Sequence, residues 1–236
     1  MIAVIQAGGK GVRLHPYTTL LPKPLMPVGD LPVIEVIIKW LRRWGVKDTY
    51  VTLGHLGTLI RALCGDGSQW DVGVNYCQEP EPMGTIGALK LLKDDLKETF
   101  FNVNSDLITD LNLRALRTFH KQHGGLVTVA VTERVIKSEL GVFEVENDRM
   151  VDFHEKPTKR YLASCGVYCM EPEVVNFIPN GGPFGFDDLM NSMLEKKEPV
   201  WLYRHDGLWL DMGREEDYRS VQKSFLRDYK MLVLGC

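Results

Sequence analysis

The chain is expected to form one α/β domain, a mixed and mainly parallel sheet flanked by helices, with a small antiparallel lobe set into it. Three observations predict this. Short apolar runs without a helical period alternate with stretches whose apolar residues recur at i, i+3 and i+4. The alternation is interrupted between Gly141 and Phe153, where two apolar runs joined across Asn147-Asp148 read as a β-hairpin. Finally, 236 residues with 44% hydrophobic content can bury one substantial core, and a prior of roughly 150 residues per domain leaves room for the extra lobe.

Taken in order, Ile2-Ala3-Val4-Ile5 is a buried strand that ends at glycine. Asp30 is the expected cap of a helix with Pro32 in its first turn and an apolar stripe of Val33, Val36, Ile37, Trp40, Leu41 and Trp44, stopped by Gly45. Thr49 to Leu53 follows as a strand, then a helix whose apolar face is Leu56, Leu59, Ile60 and Leu63. After the Gly65-Asp66-Gly67-Ser68 turn come strand Val72 to Cys77, a helix through Leu89 to Leu92, and strand Phe100 to Val103. A helix carrying Leu113, Leu116 and Phe119 leads to strand Val127 to Val131 and then to the hairpin, Gly141 to Val145 and Met150 to Phe153. Asp187 and Asp188 suit the first turn of a helix opened at Phe186, and a helix from Glu215 to Leu226 closes the fold.

Composition excludes several classes of function. A net charge of −3 with dispersed lysines and arginines offers no face for a nucleic acid, although a small phosphorylated ligand remains open. The first strand has no basic segment before it, and Glu35 and Lys39 interrupt the most apolar helix. Neither export nor membrane spanning is expected, which makes the cytoplasm the expected compartment. Five cysteines, Cys64, Cys77, Cys165, Cys169 and Cys236, contain no C-x-x-C pair and read as core thiols rather than a disulfide or zinc framework. His120 and His123, near a helix end without a partner at zinc spacing, read as a solvated pair.

The most informative stretch is Ala7 to Val28. Pro16, Pro22, Pro24 and Pro27 deny it a continuous helix, and a long irregular excursion inside a compact domain is usually functional. Gly8, Gly9 and Gly11 are expected to use positive φ to turn their N–H groups toward anionic oxygens, with Arg13 and Lys23 adding charge there. Prolines on both sides of Lys23 stiffen the backbone, so the ammonium is aimed. A Walker A loop is excluded because no window supplies G-x-x-x-x-G-K-[ST]. A dinucleotide fingerprint fails at Leu14. Elsewhere, Glu79 stands beside Gly84, Thr85 and Gly87 at a helix entrance, Asp106 follows a strand end, and Asp211 sits between apolar residues, where a carboxylate needs a partner.

In combination these stretches carry a resemblance. Gly8-Gly9-Lys10-Gly11-Val12-Arg13-Leu14-His15-Pro16-Tyr17-Thr18 with Pro22-Lys23-Pro24 resembles the G-G-x-G-T-R-L-x-P-L-T and P-K-P signature of sugar-1-phosphate nucleotidylyltransferases, the group that includes GDP-mannose pyrophosphorylases. Val12 replaces the usual threonine. Glu79 to Leu89 is similar to the family's E-P-L-G-T-A-G-A-L, Asn104-Ser105-Asp106 to N-G-D, Phe153 to Pro157 to F-x-E-K-P, Ser164 to Tyr168 to N-A-G-[IV]-Y, and Trp209 to Gly213 to W-x-D-x-G. The resemblance implies a Rossmann-like catalytic domain over residues 1–236, mainly nucleotide-binding in 1–132 and mainly sugar-phosphate-binding in 133–236, with the antiparallel lobe on the sugar side. It also implies roles. Arg13 and Lys23 would be catalytic. Ala7, Gly8, Gly9, Gly11, Glu79, Gly84 and Thr85 would bind nucleotide, and Gly141, Glu155, Lys156 and Ser164 the sugar phosphate. Asp106 and Asp211 would hold Mg2+, which prefers hard oxygen ligands.

The implied reaction joins a sugar 1-phosphate to a nucleoside triphosphate, giving a nucleotide-sugar and pyrophosphate. GTP is favoured, with mannose 1-phosphate or a manno-heptose 1-phosphate as acceptor, and a homodimer is compatible with the resemblance. Guanine presents adjacent N1–H and N2–H2 donors that the Glu79 carboxylate can accept together. The alternatives are uridylyl or thymidylyl transfer, a metal-dependent glycosyltransferase, and a regulatory subunit that binds nucleotide-sugars without making them.

Overall fold

The computed structural model describes residues 1–213 and 215–224; Cys236 and the Phe225-Leu226 end expected for the last helix lie outside them. The first half runs β1 (Ile2–Ala7), β2 (Pro27–Val28), β3 (Leu31–Pro32), α1 (Val33–Arg43), β4 (Asp48–Leu53), α2 (Gly57–Cys64), β5 (Gly73–Gln78), α3 (Gly84–Gly87), β6 (Phe100–Asn104), β7 (Leu107–Thr109) and α4 (Leu113–His123). The second runs β8 (Val127–Lys137), β9 (Val142–Glu146), β10 (Arg149–His154), β11 (Thr158–Met170), α5 (Phe186–Glu195), β12 (Val200–Arg204), β13 (Trp209–Asp211) and α6 (Glu215–Ser224).

Seven strands form the central sheet in the order β12-β8-β11-β6-β1-β4-β5. β11 is antiparallel to both its neighbours and every other pairing in that sheet is parallel. Because side chains alternate across a strand, β1 feeds two cores: Ala3, Ile5 and Ala7 pack on one face and Val4 on the other. That is why its sequence is continuously apolar. α1, α2 and α4 cover the first face with Ile34, Ile37, Ile38, Leu41, Ile60 and Leu116, each at 1% exposure or less. Burying one such side chain contributes roughly 2 kcal/mol. Trp40 adds a hydrogen bond from its Nε1 to Leu111 O at 3.1 Å. The opposite face is closed by Ile86, Leu89, Val174, Leu189 and Met193.

The mixed sheet and its inserted antiparallel ribbon agree with the expectation from sequence, and several local readings are corrected. Asp30 does not cap α1. It lies in the turn between β2 and β3, and Pro32 is the residue at the helix N-cap. In α2 only Gly57, Ile60 and Cys64 are buried, with Leu59 and Leu63 exposed, so the apolar face runs through the cysteine. His120 and His123 are not a solvated pair. His120 is 1% exposed, with Nδ1 at 2.8 Å from Thr128 Oγ1 and Nε2 at 3.1 Å from Glu171 Oε1, whereas His123 is exposed and stacks on Phe119. The partners of His120 come from β8 and from the end of β11, beyond the reach of local spacing. Cys64, Cys77, Cys165 and Cys169 are free and buried, as core thiols should be.

The lobe is built differently. β8 and β11 extend past the sheet, pairing as far as Lys137 with Thr158, and β9 and β10 form the expected hairpin. Asn147 and Asp148 take its turn at φ 48° and 63°. No residue from Glu133 to Leu162 is buried. Among the described residues no helix is long and apolar enough to cross a membrane.

Candidate active site

A cavity of about 920 Å3 opens at the C-terminal edge of the parallel strands. Each strand there delivers part of its wall: Gln6 from β1, Gly54 and His55 after β4, Gln78 from β5 and Glu79 just after it, and Asn104 from β6 with Ser105 and Asp106 after it. β1 and β6 adjoin where successive strands reverse their direction of progress through the sheet. Such a switch point is where open α/β sheets leave a crevice.

The glycine loop forms the adjoining wall, in which Gly8, Gly9, Gly11, Arg13 and Lys23 all take part. Its prolines permit three single turns of 3-10 helix, at Val12–Leu14, Tyr17–Thr19 and Lys23–Leu25. The expectation of positive φ at all three glycines is corrected: only Gly11 has it, at 64°. Gly8 is required for another reason, since a Cβ there would run into the Glu79 carboxylate, while Gly9 has nothing within 4 Å of that position. The loop is fastened from inside by Thr18, whose Oγ1 donates to Gly11 O at 2.9 Å. Ala7, buried, donates its N–H to Thr52 Oγ1 at 3.1 Å; Thr52 Oγ1 donates to Gln6 Oε1 at 3.2 Å, and Gln6 Nε2 to Asn102 Oδ1 at 2.7 Å. This chain of polar groups fixes the cavity floor.

Charge converges at one end. Lys23, held between two buried prolines, ion-pairs with Asp106. β13 pairs with β7, Met212 donates its N–H to Asp106 O at 2.8 Å, and Asp211 is thereby brought beside Asp106. Burial, and then the Asp106 charge, push the Asp211 carboxyl above its ordinary value against the opposing pull of the Gly213 N–H, Lys23 and Arg13. Gly213 lies between Asp211 and Arg13, where a Cβ would be 2.9 Å from Asp211 Oδ1 and 3.3 Å from Arg13 Nη2. Two carboxylates from strand ends about a hundred residues apart thus share one cationic surrounding, and the donor set suits a hard divalent ion.

Glu79, on the wall against Gly8, is buried. Its Oε2 accepts from Met83 N–H at 3.1 Å, and burial raises the carboxyl above its ordinary value against that hydrogen bond. Gly84 and Thr85 line the wall beside it. Gly84 has φ 79° and no room for a Cβ, because the Phe184 backbone lies against it. Gly87 likewise faces Phe184, whose carbonyl accepts from the N–H groups of Ile86 and Gly87. Gly84, expected to bind nucleotide, and its neighbour Gly87 therefore admit a neighbouring stretch of chain.

The sugar-side candidates do not line this cavity. Glu155 is exposed beside Gly141, where a Cβ would stand 3.1 Å from Glu155 Oε2, and Lys156 is exposed at φ 48°. Ser164 stands where the β11–β8 register shifts; its Oγ donates to Tyr168 Oη at 3.2 Å and accepts from Gly166 N–H at 3.1 Å. Gln6, Gly54, His55 and Gln78 are wall residues that the motif reading passed over. Their signal was position, since each ends or follows a strand of the parallel sheet.

Comparison with known proteins bears on the family and the fold. The family model described as nucleotidyl transferase matches residues 2–228. A mannose-1-phosphate guanyltransferase of Saccharomyces cerevisiae is 32% identical over 250 residues, covering 100% of this chain and 69% of its own length. A UTP–glucose-1-phosphate uridylyltransferase of Synechocystis is 29% identical over 246 residues, covering 96% of this chain and 63% of its own. A Bacillus anthracis crystal structure, provisionally assigned as a glucose-1-phosphate thymidylyltransferase in complex with a sucrose, superposes with a TM-score of 0.77 at 23% identity, over 97% of this chain and 96% of that one.

Proposed function

The chain belongs to the nucleotidyl transferase family, and from that premise we propose that it joins a sugar 1-phosphate to a nucleoside triphosphate, releasing pyrophosphate. The observation that carries this reading is the meeting of Lys23, Asp106, Asp211 and Arg13 beside a cavity of about 920 Å3. That volume lies in the range of roughly 300–1,000 Å3 usual for small-ligand sites. The relatives named as acting on mannose 1-phosphate and glucose 1-phosphate support the same reaction class.

The triphosphate lies along the glycine loop, with Arg13 and Lys23 stabilising charge at the α-phosphorus and on the departing pyrophosphate. A phosphate monoester has a second pKa of about 6, so the attacking oxygen is already ionised at neutral pH and needs no strong general base. The work of the protein is to hold two anionic substrates in line. Asp106 and Asp211 would hold Mg2+, which when bound supplies positive charge to the phosphate oxygens. Glu155 accepts hydrogen bonds from sugar hydroxyls, Gly141 and Ser164 contact the sugar, and Lys156 pairs with its phosphate, brought to the cavity by the lobe.

Glu79 selects the base. GTP is the favoured nucleotide, because uracil and thymine offer carbonyl acceptors on both sides of a single N–H. Substrates of this kind place the protein in the cytoplasm. The test is pyrophosphate release from a matrix of GTP, UTP and dTTP against mannose, glucose and heptose 1-phosphates. GTP with a manno-configured sugar phosphate is expected to be fastest, and Glu79→Gln should erode the preference for GTP at least about tenfold. No pyrophosphate from any pair overturns the reaction; an unchanged preference in Glu79→Gln overturns the role of Glu79 alone.

A further inference from the structure

A second cluster of ligating side chains lies on the lobe, away from the Asp106–Asp211 pair. In the β9–β10 hairpin Asp152 pairs with Glu144, and Phe153 with Phe143. The register shifts between Met150 and Asp152, so one strand contributes an extra residue, Val151. Without that bulge Asp152 would face Phe143 and the two carboxylates would point to opposite sides. With it, the hairpin segregates its chemistry. Phe143 and Phe153 meet on one face, their rings tilted by 46° at 4.8 Å, and Glu144, Asp152 and His154 share the other.

The three ligand atoms lie within 4.8 Å of one another. His154 Nε2 is 3.2 Å from Asp152 Oδ2 and 3.6 Å from Glu144 Oε1. Ligands bound at about 2.05 Å around a tetrahedral ion stand about 3.4 Å apart, so both separations match the edge of such a coordination sphere. The other oxygen of Asp152 accepts from Phe153 N–H at 2.7 Å, which fixes the carboxylate and leaves Oδ2 directed at the imidazole. Among the described residues no lysine or arginine forms an ion pair with Glu144 or Asp152. Two carboxylates and an imidazole therefore converge without a permanent positive charge between them.

We propose that Glu144, Asp152 and His154 form a binding site for a divalent transition-metal ion of the zinc class, with a water completing the coordination. The imidazole is a borderline ligand, and its presence beside two hard carboxylates favours Zn2+ or Co2+ over Mg2+, which seeks six oxygens. The ion clips β9 to β10 at the strand end that runs directly into Glu155 and Lys156. It gives the lobe a fixed point that its lack of buried residues does not supply.

The test needs neither substrate nor turnover, so its failure and that of the proposed reaction are separable. Full-length protein is stripped with chelator, dialysed into excess Mg2+, and titrated with Co2+ while the visible ligand-field absorption is followed; Zn2+ displacement gives the second affinity. One equivalent of Co2+ is expected to bind with a tetrahedral-type spectrum in the presence of Mg2+. Both His154→Ala and the double variant Glu144→Gln/Asp152→Asn should weaken binding at least about tenfold, the scale on which even contacts that support a ligand are felt. All three side chains are exposed, so the variants should keep the melting temperature of the stripped parent. Absence of the Co2+ spectrum, or equal affinity in the parent and both variants, overturns the site.

Discussion

The nucleotide side of the cavity and the lobe beside it are opposite solutions to the placing of functional groups. On the first, the central charged and polar groups are held by something else: Lys23 by two buried prolines and Asp106, Glu79 by Met83 N–H with Gly8 packed against it, Gln6 by Thr52 and Asn102. On the lobe, Glu155 and Lys156 stand on a ribbon with no buried residue, and Val135, Ile136, Phe143, Val145 and Met150 are each more than half exposed. A group fixed by neighbours costs little reorganisation when a substrate arrives; a group on an unsupported ribbon must be ordered by what it binds. The difference teaches that the groups proposed to hold the triphosphate are set by the fold, whereas those proposed to hold the sugar phosphate stand without such support.

Four substitutions break or sharpen that contrast. Lys23→Ala should show the largest effect, lowering kcat by about 10^2–10^3, the scale for removing one preorganised charge from a reacting centre. Circular dichroism should be unchanged, and a variant within tenfold of the parent would remove Lys23 from the reaction. Gly8→Ala and Gly9→Ala form a paired test of how tightly the first wall is built. The Gly8 methyl must displace Glu79, whereas the Gly9 methyl meets nothing within 4 Å. Overpacking of this kind costs about 1–3 kcal/mol, so the melting temperature should fall by several degrees in Gly8→Ala and stay at the parent's value in Gly9→Ala. Equal behaviour of the two would mean that the wall yields.

On the lobe, Lys156→Ala should raise KM for the sugar phosphate about tenfold while leaving KM for the nucleotide and the melting temperature unaltered, since the side chain is exposed and its contact is made only with substrate. A matching rise in both KM values would mean that the lobe serves the nucleotide as well. The smallest expected effect belongs to the supported side. Burial holds the His120 imidazole below its ordinary value against the pull of Glu171. A base whose folded value is lowered contributes stability that is present above its unfolded value, about 6.5, and lost as pH falls through the lowered one. NMR titration should place the His120 midpoint below 6.5, and thermal stability should decline on acidification through that midpoint. A midpoint at or above 6.5 would contradict the neutral, doubly hydrogen-bonded ring.

Much of this was legible in the chain. Continuous apolar runs named the buried parallel strands because burial on both faces removes the polar positions, and Asn147-Asp148 named the hairpin turn because those residues tolerate positive φ. The Pro22-Lys23-Pro24 constraint is local backbone chemistry, so it too could be read directly. The parts that escaped reading depend on partners distant in sequence. His120 looked solvated because Glu171 is fifty-one residues away, Leu59 and Leu63 looked buried because an apolar period does not say where the covering surface stops, and His55 had no signal besides its place after β4.

The sequence by itself determined the main strands and helices from β1 to the hairpin, the stiffened lysine and the family to which the motifs point, since each is written in runs of neighbouring residues. Only the tertiary structure decided that Asp211 lies beside Asp106, that Gly8 is glycine for the sake of Glu79, and that a single extra residue in β10 turns Asp152 toward Glu144 and His154. Those are relations between strands, and sheet pairing and register, not local preference, fix which side chains meet across them.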